Sequence, residues 1–411
     1  HRDLHSFPTR RSSDLLAETT VIDSVVVYRL PEASREIATF SAWPVSRIAY
    51  TNRETTLWNV AAEGAAIAVI PDSIPLTVIG RQAGRCKIRL SAAQSAFVDE
   101  QDLVWVPLQD DLAPAAVAAP LIYIGREWIR LSMRVDHAIP FMWNQSLEPA
   151  GLELTLYGAY LASQWITMPE VTSELAAISW TQPEENVIRW RIDLAQKQQW
   201  GHRVRFADGF LHLEIRRTPV AGSVAGQPLQ GLVIAVDAGH GGSELGAISP
   251  IGLEEKQINL LWAGYLKEQL EVNGARVVLT RDRDTTMTIS DRLRSARKAN
   301  AQLYICLHNN SVGPAVDAAT VRGSSTYFTV PQNQALARTV YRHLLSTGLR
   351  PYGCIQNGYT TTRMRDMPVV LVEGLFLSSP DDEQLIMRTA FLRRMARAVS
   401  AGIVDYVRSH R

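Results

Sequence analysis

The sequence predicts a multidomain protein with an all-β N-terminal half, in two small domains, followed by a C-terminal α/β domain. The chain has 411 residues, which is too long for one ordinary hydrophobic core. Short runs rich in Val, Ile, Thr and Trp fill residues 21–219, without a strong amphipathic helix. After Gly231, apolar runs alternate with helical segments. That alternation is typical of a mostly parallel, twisted sheet covered by helices on both faces.

The bulk composition excludes some classes of function. Lys and Arg (42) nearly balance Asp and Glu (41), so no electrostatic feature favours a nucleic-acid partner. No uninterrupted apolar run is long enough to span a bilayer, and we expect no membrane span. The three cysteines are far apart and match neither a CxxC metal site nor a disulfide framework.

The first 15 residues are best interpreted as an artefact. Residues 5–15, His-Ser-Phe-Pro-Thr-Arg-Arg-Ser-Ser-Asp-Leu, match an in-frame translation of a common sequencing adaptor. A genuine arginine-rich leader is the alternative. We exclude residues 1–15 from the fold and expect the natural N-terminus to be missing, so a signal peptide is neither indicated nor excluded.

The N-terminal half divides at the Pro- and Ala-containing stretch 111–120. We predict a small barrel-like domain over 16–110, a second β-domain over 115–217 and a linker over 218–230. Strands are predicted at residues 24–29, 76–80, 86–90, 128–135, 152–157, 187–194 and 211–215.

The C-terminal domain is predicted over residues 231–411. Helices are expected from Glu255 to Gly274, from near Ser290, over 333–347, and after the N-cap Ser379. The buried stripe of the first helix is predicted to contain Ile258, Leu261, Trp262, Tyr265 and Leu266. Strands are predicted at residues 232–236, 275–280, 303–307 and 369–372.

Three of these strands lead into residues that bind metals or carry protons. The first leads into a Gly-rich turn with His240, the third into His308 and the fourth into Glu373, while Glu255 opens the first helix. In such sheets, functional residues collect at the carboxyl edge. Two histidines and a carboxylate meeting there would suit catalytic zinc, which takes three protein ligands and a water.

Each residue also has a structural interpretation. A lone histidine after a strand is usually a loop or core residue, and Glu255 could simply favour a helix N-terminus. The Gly-rich turn 239–242 could bind phosphate, but no Gly-Lys-Ser/Thr or GxGxxG pattern completes it. Glu373 is harder to explain structurally, because an unpaired buried carboxylate is costly.

The region 231–406 resembles the zinc-dependent N-acetylmuramoyl-L-alanine amidases of the type-3 amidase family. The matching motifs are Asp-Ala-Gly-His-Gly-Gly at 237–242, Glu-Lys at 255–256, Thr-Arg at 280–281, Ala-Asn at 299–300, His-Asn-Asn at 308–310 and Met-Pro-Val-Val-Leu-Val-Glu at 367–373. Departures are Ala238 where the family usually has Pro, Asn309 where it has a small residue, and Leu375 inserted before Phe376. The short stretch 311–323 predicts that the inhibitory helix of some members is absent.

The resemblance implies one Zn²⁺ per chain, held by His240, Glu255 and His308, with Glu373 as catalytic acid/base. It implies hydrolysis of the amide between the lactyl group of N-acetylmuramic acid and L-alanine. Peptidoglycan would be the partner, in the cell envelope, either periplasmic or extracellular. The sequence identifies no activating protein.

Three further residues are candidates for supporting or substrate-binding roles. Asp237 is expected either to orient His240 or to cap the Gly-rich turn. Asn310 belongs to the second histidine motif, and Arg363 would contact a substrate carboxylate unless it is only solvated.

Residues 122–217 weakly resemble the wall-binding AMIN β-domain, and residues 74–106 loosely resemble a bacterial Src-homology barrel. Generic spacer domains are the alternative for both.

Two other functions fit the same residues. A zinc peptidase acting on peptidoglycan stem peptides would use identical metal chemistry. A catalytically inactive wall-binding or activator protein would be expected to lack a ligand or Glu373, and this sequence retains all four residues.

Overall fold

The computed structural model describes residues 18–22, 25–29, 41–62, 64–107, 112–162, 174–313 and 315–410. The segment assigned to an adaptor, 1–15, lies outside the described residues, as does part of the proposed division at 111–120. None of the helices in the described part of the chain combines the length and apolar character needed to cross a membrane.

The first part of the chain is antiparallel β-structure. Strands β1 and β2 form a pair, and β3 to β9 form a seven-stranded sheet in the order β5-β4-β8-β7-β6-β3-β9. Along β7, buried Cys86 and Ile88 alternate with more exposed residues, as expected for a half-buried strand. The strands are β1 Glu18–Ile22, β2 Val25–Arg29, β3 Ser41–Thr51, β4 Thr55–Trp58, β5 Ala66–Ile70, β6 Pro75–Gln82, β7 Arg85–Arg89, β8 Ser95–Asp99 and β9 Leu103–Trp105.

The second part is a sandwich of two four-stranded antiparallel sheets. Their orders are β11-β12-β19-β18 and β13-β14-β17-β16, with β10 and β15 forming a short parallel pair. The strands are β10 Ala115–Val117, β11 Leu121–Ile124, β12 Trp128–Arg134, β13 Phe141–Leu147, β14 Ala150–Tyr157, β15 Ala159–Leu161, β16 Leu175–Glu184, β17 Val187–Leu194, β18 His202–Ala207 and β19 Phe210–Arg216.

The two β-parts share one hydrophobic core. A single cluster of buried residues runs from Ala49 in β3 through Ile88 in β7 to Leu154 and Ile215 in the sandwich. The seven-stranded sheet and the sandwich therefore pack as one body.

The C-terminal part contains a six-stranded mixed sheet. Its order is β21-β20-β22-β25-β23-β24, in which the first four strands are parallel and the last two run opposite to them. The strands are β20 Val233–Ala238, β21 Arg276–Leu279, β22 Leu303–Asn310, β23 Ser324–Phe328, β24 Pro351–Gln356 and β25 Val369–Phe376. The sequence did not predict β23 and β24, because neither contains a continuous aliphatic run and β24 begins with proline.

Helices cover the two faces of this sheet unequally. Buried residues of α1, α3 and α5 join Ile234 and Val370 in one cluster, while α2 joins Ala235 and Val369 on the opposite face. The helices are α1 Glu255–Val272, α2 Ile289–Lys298, α3 Gln334–Leu345, α4 Pro380–Ile386 and α5 Thr389–Ser409.

The buried face of α1 differs from the predicted stripe. Leu261 is 54% exposed, whereas the polar Asn259 is completely buried. The face is rotated towards Asn259, Ala263 and Leu270 because Asn259 turns inward to bind polar groups at the sheet edge. The prediction for Leu261 was wrong for this reason.

The connection at 218–230 packs onto the C-terminal core. Leu229 is fully buried there, and its backbone N–H donates to the carbonyl of Asn273. The sandwich also contacts this domain directly through reciprocal hydrogen bonds of 3.0 and 3.1 Å between Gln145 and Gln332. The C-terminal half of the expected linker is thus packed against the C-terminal domain.

Candidate metal centre

Three potential metal ligands meet at the carboxyl edge of the sheet. His240 follows β20, Glu255 is the first residue of α1 and His308 lies in β22, and one ligand atom from each falls within 4.8 Å of the others. Nε2 of His240 lies 3.1 Å from Oε2 of Glu255, and Nδ1 of His308 lies 3.0 Å from Oε1. All three side chains are largely buried.

This arrangement fits zinc by its donor chemistry. Two imidazoles and one carboxylate form a three-ligand set that zinc enzymes use, which leaves a fourth position for water or substrate. Burial alone would raise the pKa of Glu255, but hydrogen bonds from His240 and His308 hold that pKa well below its ordinary value. An ionised carboxylate between two imidazoles is the state that a cation requires.

Two glycines make room for the ligands. A Cβ on Gly239 would overlap the His308 ring, at 2.6 Å from Nδ1. Gly246 has a φ of +71°, and a Cβ there would lie 2.5 Å from Oε2 of Glu255. Both positions therefore require glycine if the three donors are to converge.

Two buried arginines fix the backbone that carries His240. Arg281 donates to the carbonyls of Ala238 and Gly239 at 2.8 and 3.0 Å. Arg292, from α2, donates to the carbonyls of Ala238 and His240 at 2.8 and 2.7 Å. These charge-assisted bonds satisfy the carbonyl groups of the turn and hold its conformation.

Asp237 influences the turn that carries His240 by binding one of these arginines, Arg292. Its Oδ1 accepts from Arg292 at 2.7 Å and also from the Thr280 hydroxyl, and its Oδ2 accepts from the Cys306 thiol at 3.2 Å. Burial would raise the pKa of Asp237, but the charge and hydrogen bonds of Arg292 and Thr280 bring the pKa below its ordinary value. The carboxylate thus orients the arginine that binds the His240 carbonyl.

Glu373 lies beside His308 on the same face of the sheet. The two residues are register partners across the parallel strands β22 and β25. Glu373 is 9% exposed, and its Oε2 is buried without a hydrogen-bond partner among the described residues. Burial, and then the negative charge of Glu255, raise the pKa of Glu373 well above its ordinary value.

His308 and Glu373 lie inside their strands rather than at the ends. β22 continues to Asn310 and β25 to Phe376, beyond the predicted ends at 307 and 372. Pairing of β23 against β25, which places Ser325 opposite Glu373, extends the ladder past the predicted end. The backbone around the proposed acid/base is therefore hydrogen-bonded sheet.

The remaining two candidates occupy different places. Asn310 is buried, and its Oδ1 accepts from the backbone N–H of Ser311 at 2.8 Å, so it caps the chain leaving β22. The guanidinium of Arg363 lies over the indole of Trp58, 5.3 Å from the ring centre. Arg363 lines a cavity whose lining residues do not include His240, Glu255 or His308.

The connection after β22 contains no helix in its described residues, 311–313 and 315–323. It forms turns that lead directly into β23.

Two supporting residues were missed at the level of sequence. Asn259 donates to Oε1 of Glu255 at 3.0 Å and to the Gly239 carbonyl at 3.2 Å. Its position four residues after Glu255 places it on the same helix face, which was an available signal. Arg292 gave no comparable signal, because its partners lie more than 50 residues away in the sequence.

Comparisons with known proteins match the part of the chain that contains this site. A family model described as N-acetylmuramoyl-L-alanine amidase matches residues 234–405. The N-acetylmuramoyl-L-alanine amidase LytC of Bacillus subtilis is 32% identical over 203 residues, which cover 47% of this chain and 40% of that protein. The probable cell wall amidase LytH of Staphylococcus epidermidis is 31% identical over 194 residues, covering 46% and 64% respectively.

Among solved structures, the amidase AmiC2 of Nostoc punctiforme is 29% identical, covers 43% of this chain and 97% of its own, and gives a TM-score of 0.41. The matched region spans less than two thirds of the length of either curated relative. In each comparison the similarity is confined to less than half of this chain. The C-terminal part of the chain, over residues 234–405, is thus similar to the N-acetylmuramoyl-L-alanine amidases described by this family model.

Proposed function

We propose that this protein hydrolyses the amide bond between the lactyl group of N-acetylmuramic acid and L-alanine in peptidoglycan. The observation that carries the proposal is the buried cluster of His240, Glu255 and His308, with Glu373 on the neighbouring strand. The match of the same region to the amidase family model supports it.

One Zn²⁺ per chain would be held by the two imidazoles and the Glu255 carboxylate. Bound zinc supplies Lewis acidity, which lowers the pKa of water and polarises a carbonyl group. The chain's own contribution is a rigid donor set, because Arg281, Arg292 and Asn259 hold the segments that carry the ligands.

Glu373 would move the proton. Its unpartnered Oε2 would accept a proton from the attacking water and return it to the nitrogen of the leaving L-alanine. A pKa raised above its ordinary value suits both steps, because the group must be a base first and an acid afterwards.

We further propose a three-part organisation: β-domains over 16–110 and 115–217, a connection over 218–230 and the amidase over 231–411. The AMIN-like sandwich would hold peptidoglycan near the amidase. A location in the cell envelope, periplasmic or extracellular, follows from the proposed substrate. A protein partner that activates the enzyme is not part of the proposal.

Digestion of purified muropeptides by the zinc-loaded chain tests the reaction. We expect release of intact peptide from the sugar, detected by mass spectrometry of the products. Cleavage between amino acids would instead establish the zinc peptidase. The absence of any cleavage, with zinc bound, would favour the inactive wall-binding protein.

Glu373→Gln tests the proton-transfer role with little change in shape. We expect the rate to fall by about 100- to 10,000-fold, the usual contribution of general acid–base catalysis, with one zinc still bound per chain. Glu268→Gln is the matched control, because Glu268 is an exposed carboxylate on α1. Equal rates for the two variants would refute the role of Glu373.

A further inference from the structure

A cavity separate from the candidate metal centre lies where all three parts of the chain meet. It has a volume of about 400 Å³ and is lined by Glu54 and Ile70 of the seven-stranded sheet, Trp143 and His202 of the sandwich, and Arg297 and Arg365 of the C-terminal part. We call it the junction cavity. Its lining includes neither the three metal-site residues nor Glu373. Domain junctions are frequent places for ligand sites, and this volume is in the usual range.

The charges around the junction cavity do not balance. Among the described residues, five arginines line it but only two carboxylates, those of Glu54 and Asp366. Both carboxylates are already paired with Arg297, at 3.2 and 2.6 Å. The arginines of β18, Arg203 and Arg205, reach Glu214 of the neighbouring strand, so they too have an anionic partner.

Two guanidinium groups form no ion pair with a carboxylate among the described residues, although the charge of Asp366 acts on Arg365. Arg365 makes no hydrogen bond or ion pair through its guanidinium there, and only its backbone carbonyl is used, by His202 and Gln332. Arg363 stacks over Trp58, and its Nε is buried without an acceptor. Burial lowers the pKa of both groups, which reflects the cost of keeping these charges away from water.

His202 adds an unsatisfied polar group to the same wall. The residue is 1% exposed, and neither ring nitrogen has a hydrogen-bond partner in the described part of the chain. Burial, and then the charge of Arg365, lower the pKa of His202 to about 3. The imidazole is therefore neutral at physiological pH and carries one N–H that has nothing to bind.

We propose that the junction cavity binds a carboxylate group of an acidic peptide, with Arg365 and Arg363 as the charged donors and His202 as a neutral one. The planar guanidinium fork matches a carboxylate in geometry as well as in charge. Phe141, Trp143 and Leu293 line the same space and offer apolar surface to the rest of the peptide.

The source of the peptide rests on the proposed function, since the stem peptides of peptidoglycan carry free carboxylates. Three parts of the chain contribute to the cavity, so an occupied cavity would fix the β-domains against the amidase.

Helix α2 also connects the junction cavity with the candidate metal centre. Its Arg292 binds the His240 carbonyl, while its Leu293 and Arg297 line the cavity.

Titration calorimetry on the zinc-loaded full chain tests the proposal with three probes: alanyl-glutamate, alanyl-glutaminamide, which has no carboxylate, and inorganic phosphate. We expect alanyl-glutamate to bind and alanyl-glutaminamide not to bind. Arg365→Gln should weaken the binding at least 10-fold, because a hydrogen bond between charged groups is lost. Arg397→Gln is the matched control, since it removes the same charge from an exposed position on α5 and should leave affinity unchanged.

Equal affinities of the Arg365 and Arg397 variants, or no binding of alanyl-glutamate to the wild type, would overturn the proposal. Binding of phosphate alone would overturn the assignment to a peptide. If circular dichroism shows that Arg365→Gln is unfolded, Arg363→Gln replaces it with the same expected loss. Muropeptide hydrolysis is measured separately: lost binding with normal hydrolysis refutes only the cavity, and normal binding without hydrolysis refutes only the amidase.

Discussion

Acidification should destabilise this protein through His202. The ordinary pKa of 6.5 falls to about 3 in the folded state because the ring is buried and Arg365 is nearby. The unfolded chain therefore binds a proton as the pH drops below 6.5, while the folded chain does not bind one until about pH 3. The free energy of unfolding consequently decreases as the pH falls from 6.5 to about 3. The stability that His202 contributes by remaining neutral is fully present above pH 6.5.

The size of the effect follows from the two pKa values. A difference between 6.5 and about 3, at about 1.36 kcal/mol per pKa unit, amounts to about 5 kcal/mol over the whole window. Between pH 7.5 and pH 5.0 the same two values give a loss of about 2 kcal/mol. That is a sizeable fraction of the stability of a typical domain.

Urea unfolding followed by tryptophan fluorescence measures this loss in the wild type and in His202→Phe. Phenylalanine keeps the contact with Trp143, whose ring lies 4.9 Å from the imidazole, and cannot be protonated. All other titrating groups are common to both proteins and cancel in the comparison. We expect the wild type to lose about 2 kcal/mol more than the variant between pH 7.5 and 5.0. Parallel pH profiles would refute the reasoning.

Two further predictions concern the C-terminal part. Leu266→Ala should lower the free energy of unfolding by about 2–5 kcal/mol, because the side chain is completely buried. Leu261→Ala on the same helix should lower it by less than about 0.5 kcal/mol, because its side chain is exposed. Similar urea midpoints for the two variants would contradict the observed orientation of α1. Gly239→Ala should displace the His308 ring and reduce bound zinc well below one per chain, measured by atomic emission; full zinc occupancy would show that the ring position is not needed for binding.

The sequence was most informative where local pattern and position coincide. His240, His308 and Glu373 each follow a predicted apolar strand, and the carboxyl ends of parallel strands meet at one edge. Glu255 came from the resemblance and from its place at a helix start. The structure brings the three ligand candidates together, as the strand ends, the helix start and the resemblance had jointly indicated.

Long-range polar contacts could not be predicted in the same way. Arg292 lies on an ordinary amphipathic helix, and only folding places it against Asp237 and the His240 carbonyl. The exposure of Leu261 has a similar origin. Hydrophobicity alone placed it in the buried stripe, whereas the hydrogen bonds of Asn259 decide which side of α1 faces inward.

The junction cavity shows the same limit at a larger scale. Nothing in the local sequence around His202 or Arg365 indicates that they will meet, because each belongs to a different part of the chain. Arg363 was singled out for its position before the last strand, and the structure places it beside Trp58 of the first β-part.

The hydrophobic core shared by the seven-stranded sheet and the sandwich has a consequence for how these parts behave as units. Cutting the chain between them would expose apolar side chains such as Ile88 and Leu154 that belong to one buried cluster. Their unfolding should therefore be cooperative, with a single transition for both. Recombination during evolution would then transfer the two parts to other enzymes together, as one inherited module, rather than separately.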